Sequence, residues 1–186
     1  MKKVITSILS LTVALAFSIS GVWAQSESVS LLSESTMTVV GTSTLHDWEV
    51  DVQTMNLDAE FTDAVFTEDL PTSADFVESL KLTVPVKSLE SGKGGMNNKM
   101  YDAFNAKKNP NIVYEFSSAQ LDNSAAGEGF TLNTTGQLTM NGVTRSVNFP
   151  VQGTVSGENQ VNFTGSYTMK MTDFKNGSPQ RCIRYH

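Results

Sequence analysis

Residues 136–147 read GQLTMNGVTRSV, and this stretch decides the fold of the chain. Apolar residues alternate with polar ones up to Met140, and the alternation resumes at Val143 after the pair Asn141-Gly142. Asn-Gly between two alternating runs is the strongest short signal for a β-hairpin, because its type I′ turn requires a positive φ at both central residues. The stretch therefore predicts two antiparallel strands joined by a two-residue turn.

Similar alternation on both sides of this hairpin predicts further strands. In residues 47–61 the parity of the apolar positions changes between Trp48 and Leu57, which predicts a long strand with a β-bulge near Gln53-Thr54. The other apolar runs of this kind occupy residues 36–42, 80–86, 112–116, 130–140, 143–151 and 161–169. The chain is therefore predicted to consist mainly of antiparallel strands.

One short helix interrupts these strands. Apolar residues recur at helical spacing from Met96 to Phe104, with two glycines before them and Pro110 after them. About seven strands, each with one apolar and one polar face, can bury their apolar faces together in a closed barrel. The sequence thus predicts an all-β fold, an antiparallel up-and-down barrel with one short helix between strands, and a two-sheet sandwich is the alternative.

Residues 1–24 are predicted to be a secretory signal peptide. Two lysines precede a largely apolar, uncharged run from Val4 to Ile19, and the residues up to Ala24 fit a signal-peptidase site. An N-terminal membrane anchor is the alternative, but the run is short and contains several Ser and Thr residues. We therefore expect cleavage after Ala24 and a periplasmic or secreted mature protein.

Charge and composition argue against several classes of function. The chain has 19 acidic and 13 basic side chains, so its net charge is −6 at pH 7. An acidic chain repels phosphate backbones, and we expect no nucleic-acid partner. With one cysteine, Cys182, and two histidines, we expect no metal, no cofactor and no enzymatic activity. His46, next to Asp47 and Trp48, is a candidate for the rim of a binding site.

The apolar interior is the remaining candidate for a function. The inward positions of the predicted strands mix large Phe, Tyr and Met side chains with Gly and Thr, a mixture that is compatible with a cavity. Burial of a methylene group contributes about 0.8 kcal/mol, so a lipid chain of about ten or more carbons can bind without any recognisable sequence motif.

Four segments carry motifs of a known family. Residues 96–104, MNNKMYDAF, and residues 108–116, KNPNIVYEF, match a helix that ends in Phe and a K-x-P-x-I-x-F strand entry. Residues 136–147 match a G-x-L-T-[IM]-x-G-V-T-[KR]-x-V hairpin, and residues 41–48, GTSTLHDW, match a first turn. Because of these motifs, the chain from about residue 33 to residue 174 resembles the YceI-like family of exported bacterial lipocalin-like barrels.

The resemblance implies an eight-stranded lipocalin-like barrel whose cavity holds an amphiphile, typically a polyisoprenoid, an isoprenoid quinone or a fatty amide. It implies no catalytic residues. The matching positions that would form the cavity wall are Met100, Phe104, Phe116, Leu138, Phe149 and Phe163. The alternating apolar pattern adds as inward candidates Trp48, Leu82, Val84, Tyr114, Met140 and Tyr167.

The last residues depart from the pattern of that family. Residues 25–174 form the predicted barrel domain, whereas residues 175–186, KNGSPQRCIRYH, are basic and hold the only cysteine. The family continues here through a loop and a closing strand, so we expect the closing strand to be missing. A single-base slip in a run of A in the gene would explain this tail, and the free thiol of Cys182 would allow a homodimer.

The function that follows is that of an exported carrier for a hydrophobic or amphiphilic small molecule, such as a polyisoprenoid, an isoprenoid quinone or a long-chain lipid. A membrane or a membrane protein would deliver the ligand transiently. Two alternatives stay open. One is a barrel with a filled core that acts through its surface as an interaction or stress protein, and the other is a hydrolase that uses His46.

Overall fold

The fold is known from a computed structural model, which describes residues 26–42, 47–62, 73–122, 129–156, 160–174 and 182–185. These residues form twelve β-strands, one α-helix and two 3-10 turns, Val86–Ser88 and Met171–Phe174. In chain order the elements are β1 (Ser26–Val29), β2 (Thr38–Thr42), β3 (Asp47–Val52), β4 (Asn56–Thr62), β5 (Val77–Pro85), β6 (Leu89–Glu90), α1 (Gly94–Ala103), β7 (Asn111–Asp122), β8 (Phe130–Met140), β9 (Val143–Val155), β10 (Val161–Gly165), β11 (Met169–Lys170) and β12 (Cys182–Tyr185).

The hairpin of β8 and β9 has the geometry that its sequence predicts. Met140 and Val143 pair across the turn. Between them, Asn141 has a φ of 51° and Gly142 a φ of 72°, which are the two positive values of a type I′ turn. Along β8, buried side chains alternate with less buried ones over all eleven residues. The prediction of this hairpin is therefore confirmed, and one face of its first strand points into the core.

Two sheets share the strands, and every strand pair is antiparallel. The larger sheet has the order β1-β4-β5-β7-β8-β9-β10, and the smaller sheet has the order β11-β12-β2-β3-β6. The chain passes from one sheet to the other between β1 and β2, between β3 and β4, on both sides of β6, and between β10 and β11. The result is a curled antiparallel half-barrel of the lipocalin type, which confirms the predicted fold class.

The passage from β3 to β4 differs from the prediction in one detail. Residues 53–55 separate two strands that lie in different sheets, where the sequence predicts one strand with a bulge at Gln53-Thr54. The Gln53 amide donates a hydrogen bond to the Ser88 carbonyl at 2.9 Å. The parity of the buried positions changes across the break, from Val50 to Ala59, as predicted. A longer break is required here because the chain changes its partner strands.

A strand that the sequence analysis did not predict occurs near the C-terminus. β12 lies between β11 and β2, with Ile183 opposite Met169 and Arg184 opposite Val40. The tail therefore contributes a short strand to the smaller sheet, while the whole remains a half-barrel. Exposed backbone groups at the edge of a sheet favour any segment that can pair with them, and the sequence CIRY contains two residues with high strand propensity. In the larger sheet, β1 and β10 are the outer strands.

The helix α1 covers the predicted segment and is fixed to β6 through Asn97. This side chain is only 6% exposed. Its Oδ1 atom accepts hydrogen bonds from the backbone amide and the hydroxyl of Ser91, at 3.0 and 2.6 Å, and its amide nitrogen donates to Glu90. Met100 and Phe104 pack against the apolar interior from this helix and the residue after it.

The buried apolar residues form two clusters. The helix-side core consists of Val39, Val50, Val84, Val86, Leu89, Phe104, Ala106, Ile112, Leu138, Met140, Val147, Met169 and Phe174. The far core consists of Ala59, Phe61, Phe76, Phe130 and Leu132. Strand β8 contributes to both cores, because its inward positions run from Phe130 to Met140.

Candidate functional site

Nine of the twelve residues predicted to line a cavity come together at the helix-side core. Four of them are buried members of this core: Val84, Phe104, Leu138 and Met140. The other five are partly buried and pack against it: Trp48, Met100, Tyr114, Phe149 and Tyr167. Strands, the helix and the segment before β11 all contribute, so these nine residues meet at one apolar core.

The other three predicted residues lie elsewhere. Leu82 is half-buried and pairs with Tyr114 across β5 and β7. Phe116 is half-buried and belongs to neither core. Phe163 is 39% exposed and contacts the far core. The rim candidate His46 lies outside the described residues.

Three aromatic rings form a ladder across the interior beside the helix-side core. The ring centroids of Tyr114 and Phe149 are 5.5 Å apart, and those of Phe149 and Tyr167 are 5.6 Å apart. Both pairs are tilted, at 53° and 43°, which is within the range of favourable aromatic geometries. The ladder provides a flat apolar wall that extends from β7 across β9 to the residues before β11.

Two glycines make room for inward aromatic rings. A Cβ atom at Gly136 would lie 2.5 Å from the ring of Tyr114, and one at Gly41 would lie 2.0 Å from the ring of Trp48. Each ring therefore lies flat across the backbone of a neighbouring strand. The sequence analysis noted glycine among the inward positions but did not identify which ring each one accommodates, because the cross-strand register is required for that.

The far core holds a group of four phenylalanines that the sequence analysis mostly missed. Phe61, Phe76, Phe130 and Phe163 contact each other edge to face, with centroid distances of 5.6 to 6.1 Å. Phe163 comes from the outer strand β10, and Phe61 comes from β4, which pairs with the other outer strand β1. The four rings therefore bridge the two outer sides of the larger sheet. The inward parity of Phe61 and Phe130 was a usable signal, whereas Phe76 precedes its strand and follows no such pattern.

One polar group lies within this apolar interior. The hydroxyl of Tyr114 is buried and has no hydrogen-bond partner among the described residues. Burial raises the pKa of this phenol above its ordinary value of 10.0, and the nearby Thr134 hydroxyl opposes the rise without forming a hydrogen bond of good geometry. Thr134 itself is 7% exposed, and its hydroxyl donates to the Phe149 carbonyl at 2.8 Å.

Two pockets on the outer surface have a different character. A pocket of about 310 Å³ lies beside α1, and one of about 220 Å³ lies over β4, β5 and β7. Charged and amide side chains dominate both linings, among them Lys87, Lys107, Lys81 and Glu115. Lys81 and Glu115 form an exposed ion pair at 3.1 Å, which contributes little to stability. Neither pocket offers the apolar lining that the interior offers.

The described residues hold no cluster of metal ligands and no membrane-spanning helix. Within these ranges no group of three or more His, Cys, Asp or Glu side chains is placed to hold a metal ion. No helix in this part of the chain has both the length and the apolar character that crossing a bilayer requires.

A curled antiparallel half-barrel with an apolar interior and one short helix packed against it defines a lipocalin-like class of protein. The family model of the YceI-like domain matches residues 33–184, and the chain belongs to this family. The match includes all strands from β2 to β11 and the first three residues of β12.

Two solved structures have the same fold. BcnA of Burkholderia cenocepacia is 22% identical, with a TM-score of 0.65, and the alignment covers 81% of this chain and 93% of that one. A polyisoprenoid-binding domain from Saccharophagus degradans, implicated in plant cell wall breakdown, is 12% identical, with a TM-score of 0.57 and coverage of 81% and 90%. Among the curated protein sequences compared with this chain, none matches.

Proposed function

We propose that this protein binds and carries a hydrophobic or amphiphilic small molecule with a long apolar chain, such as a polyisoprenoid, an isoprenoid quinone or a long-chain lipid. The observation that carries the proposal is the convergence of nine apolar residues at one core, three of which form the aromatic ladder. The structural similarity to a polyisoprenoid-binding domain supports the same class of ligand. Binding requires no catalytic group, so the proposal is for a carrier and not for an enzyme.

Hydrophobic transfer supplies the binding free energy in this proposal. Each buried methylene contributes about 0.8 kcal/mol, so a chain of fifteen carbons has roughly 12 kcal/mol available before the entropy cost of ordering it. The adaptable side chains of Met100 and Met140 suit a flexible chain better than branched aliphatic ones do. No charged contact is needed to reach a useful affinity.

The test is native mass spectrometry of the protein exported from its cells and purified without detergent. We expect a lipid in close to one-to-one ratio, or uptake of an added isoprenoid quinone by empty protein. Protein that is empty and takes up no added lipid would contradict the carrier function.

Two variants address the site. Phe104→Asp and Phe149→Asp place a carboxylate without a partner in the apolar interior, and we expect them to abolish uptake. Asn148→Asp is the matched control for the second, because it places the same carboxylate on the exposed side of β9. Circular dichroism must show that each variant still folds. His46→Ala is expected to reduce uptake only modestly.

A barrel with a filled core that acts through its surface is the second candidate function. Complete burial of Val86 and Met140 favours it, because both side chains are 0% exposed and lie in the helix-side core. The same mass spectrometry separates the two functions, since a filled core brings no lipid with it.

Export belongs to the proposed function as well. A signal peptide at residues 1–24 would deliver the protein to the periplasm or the exterior, where a membrane or membrane protein can supply the ligand. N-terminal sequencing of the protein from a periplasmic fraction is expected to begin at Gln25. A start at Met1 in a membrane fraction would instead identify an anchor.

A further inference from the structure

We propose that the Tyr114 hydroxyl is the polar recognition point of the interior, and that the bound molecule carries a neutral oxygen acceptor at this depth in its apolar chain. This inference rests on the proposed carrier function and narrows its class of ligand. A pure hydrocarbon would pack against the apolar wall but would leave this hydroxyl without a hydrogen-bond partner.

A buried hydroxyl rarely lacks a hydrogen-bond partner. Large surveys of proteins find nearly all buried polar atoms in hydrogen bonds, and each exception calls for an explanation. The Tyr114 oxygen is such an exception among the described residues. The ring itself is held firmly, because it lies against Gly136 and contacts Phe149 at a centroid distance of 5.5 Å.

Thr134 is the polar side chain beside the Tyr114 hydroxyl. The hydroxyl of Thr134 already donates its proton to the Phe149 carbonyl at 2.8 Å. It therefore has no proton to give to the Tyr114 oxygen. The two hydroxyls also form no hydrogen bond of good geometry with each other. The Thr134 oxygen keeps lone pairs that accept hydrogen bonds, but the Tyr114 hydroxyl makes no hydrogen bond of acceptable geometry to it or to any other described group, so its proton is available to an acceptor that a ligand supplies.

Next to the Tyr114 hydroxyl, a neutral acceptor is favoured over a charged one. The cross-strand neighbours of Tyr114 are Leu82 on β5 and Leu138 on β8, and both are aliphatic. The rings of Phe149 and Tyr167 complete the ladder, so no cation lies among these neighbours to balance an anion. A buried anion without a counter-charge is strongly disfavoured. A carbonyl, ether or hydroxyl oxygen requires no such compensation.

The experiment compares two probes of equal chain length, a long-chain methyl ketone and the corresponding alkane. Displacement of a fluorescent apolar probe gives the affinity of each. The wild-type protein should prefer the ketone by about three- to tenfold, which is the usual net effect of one neutral hydrogen bond. Tyr114→Phe should remove this preference by lowering the affinity for the ketone relative to that for the alkane.

Tyr101→Phe is the matched control. It also removes a phenolic hydroxyl near the helix-side core, but this hydroxyl already donates to the Leu89 carbonyl at 2.9 Å. We expect it to keep the preference for the ketone. Thermal melting of both variants confirms that they are folded.

Infrared spectroscopy of the bound ketone provides a direct second measurement. A hydrogen bond from Tyr114 lowers the carbonyl stretching frequency, and we expect this lower frequency in the wild type and its loss in Tyr114→Phe. Equal affinities for the two probes, or a carbonyl band that Tyr114→Phe does not change, would overturn the inference while leaving the carrier function intact. If the protein binds neither probe, the carrier function itself fails, and this inference fails with it.

Discussion

The helix-side core and the far core share strand β8, yet they differ in how completely they are closed. The helix-side core contains thirteen buried residues, most of them aliphatic, and α1 packs against it. The far core contains five buried residues, and its four-phenylalanine group includes Phe163, which is 39% exposed. The difference indicates that the helix-side core buries more apolar side chains than the far core, where one of the four rings is partly in water.

This division fits the role of a carrier. A ligand must enter without unfolding the protein, so one end of the interior must open at low cost while the other stays packed. The two outer sides of the larger sheet approach each other at the far core. There the ring centroids of Phe61 on β4 and Phe163 on β10 are 5.9 Å apart. Edge-to-face contacts of this kind contribute only about 1 kcal/mol each, so they can be broken and restored readily.

The largest expected effect separates the two cores directly. Phe174 is 1% exposed in the helix-side core, and Phe174→Ala should lower the free energy of unfolding by about 3–5 kcal/mol, because it leaves a cavity in a packed region. Phe163→Ala is the matched control at the far end and should cost about 1 kcal/mol, since its ring is partly in water already. Urea denaturation measures both values. Equal losses would show that the two cores are packed equally well.

Glycine substitutions test the same difference in packing between the two cores, with smaller expected effects. A Cβ atom at Gly41 would lie 2.0 Å from the Trp48 ring, and Gly41→Ala should cost about 1–3 kcal/mol because the ring must move within a packed region. Gly153→Ala places a Cβ atom 2.3 Å from Phe130 in the far core and should cost less, because Phe163 beside that ring can yield. A larger loss for Gly153→Ala would contradict the proposed difference in packing.

Gly95 provides the control for these substitutions. It lies in α1, and a Cβ atom there would meet nothing within 4 Å. Gly95→Ala should therefore stabilise the protein by about 0.5–1 kcal/mol through helix propensity alone. A loss of stability here would mean that the helix makes contacts beyond those described.

The short strand β12 closes the smaller sheet next to the helix-side core, and its removal tests how much that closure matters. A chain that ends at Phe174 loses the pairs between β12 and both β2 and β11, and we expect it to lose roughly 1–2 kcal/mol of stability. Hydrogen exchange should become faster at Val39, Val40 and Met169, while amides in the middle of β8 keep their rates. Unchanged exchange at β2 would show that this pairing contributes nothing in solution.

The sequence predicted the parts of the fold that depend on local patterns. The β8–β9 hairpin, the helix near Met100 and the parity change before Leu57 all follow from spacing and turn chemistry within a few residues. The pairing of β12 could not be predicted, because it depends on the edges that β2 and β11 leave open, and these are far away in the sequence.

The candidate site shows the same limit. Nine of the twelve predicted residues belong to one core or pack against it, and for those on strands the inward position is a local property that alternation reveals. Phe163 was assigned to the cavity wall, and its contacts with Phe61 and Phe130 depend on the register of three strands. The unpaired hydroxyl of Tyr114 also depends on register, since Thr134 on the next strand donates elsewhere. Sequence alone does not determine such pairings.

The smallest expected effect is a pH dependence that belongs to the helix-side core alone, because the four-phenylalanine group of the far core has no group that titrates. Burial raises the pKa of Tyr114 above 10.0 in the folded protein, so the unfolded chain loses this proton first as the pH rises. The stabilisation from the protonated phenol is therefore complete below about pH 10 and is lost as the pH rises through the folded-state pKa.

Urea denaturation of the wild type and of Tyr114→Phe, at several values from pH 8 to about pH 11, isolates this contribution, because the lysines titrate equally in both proteins. We expect the wild type to lose stability more steeply above pH 10 than the variant does. A constant difference between the two proteins over the whole range would mean that the Tyr114 hydroxyl is in contact with water, and the contrast between the two cores would then rest on packing alone.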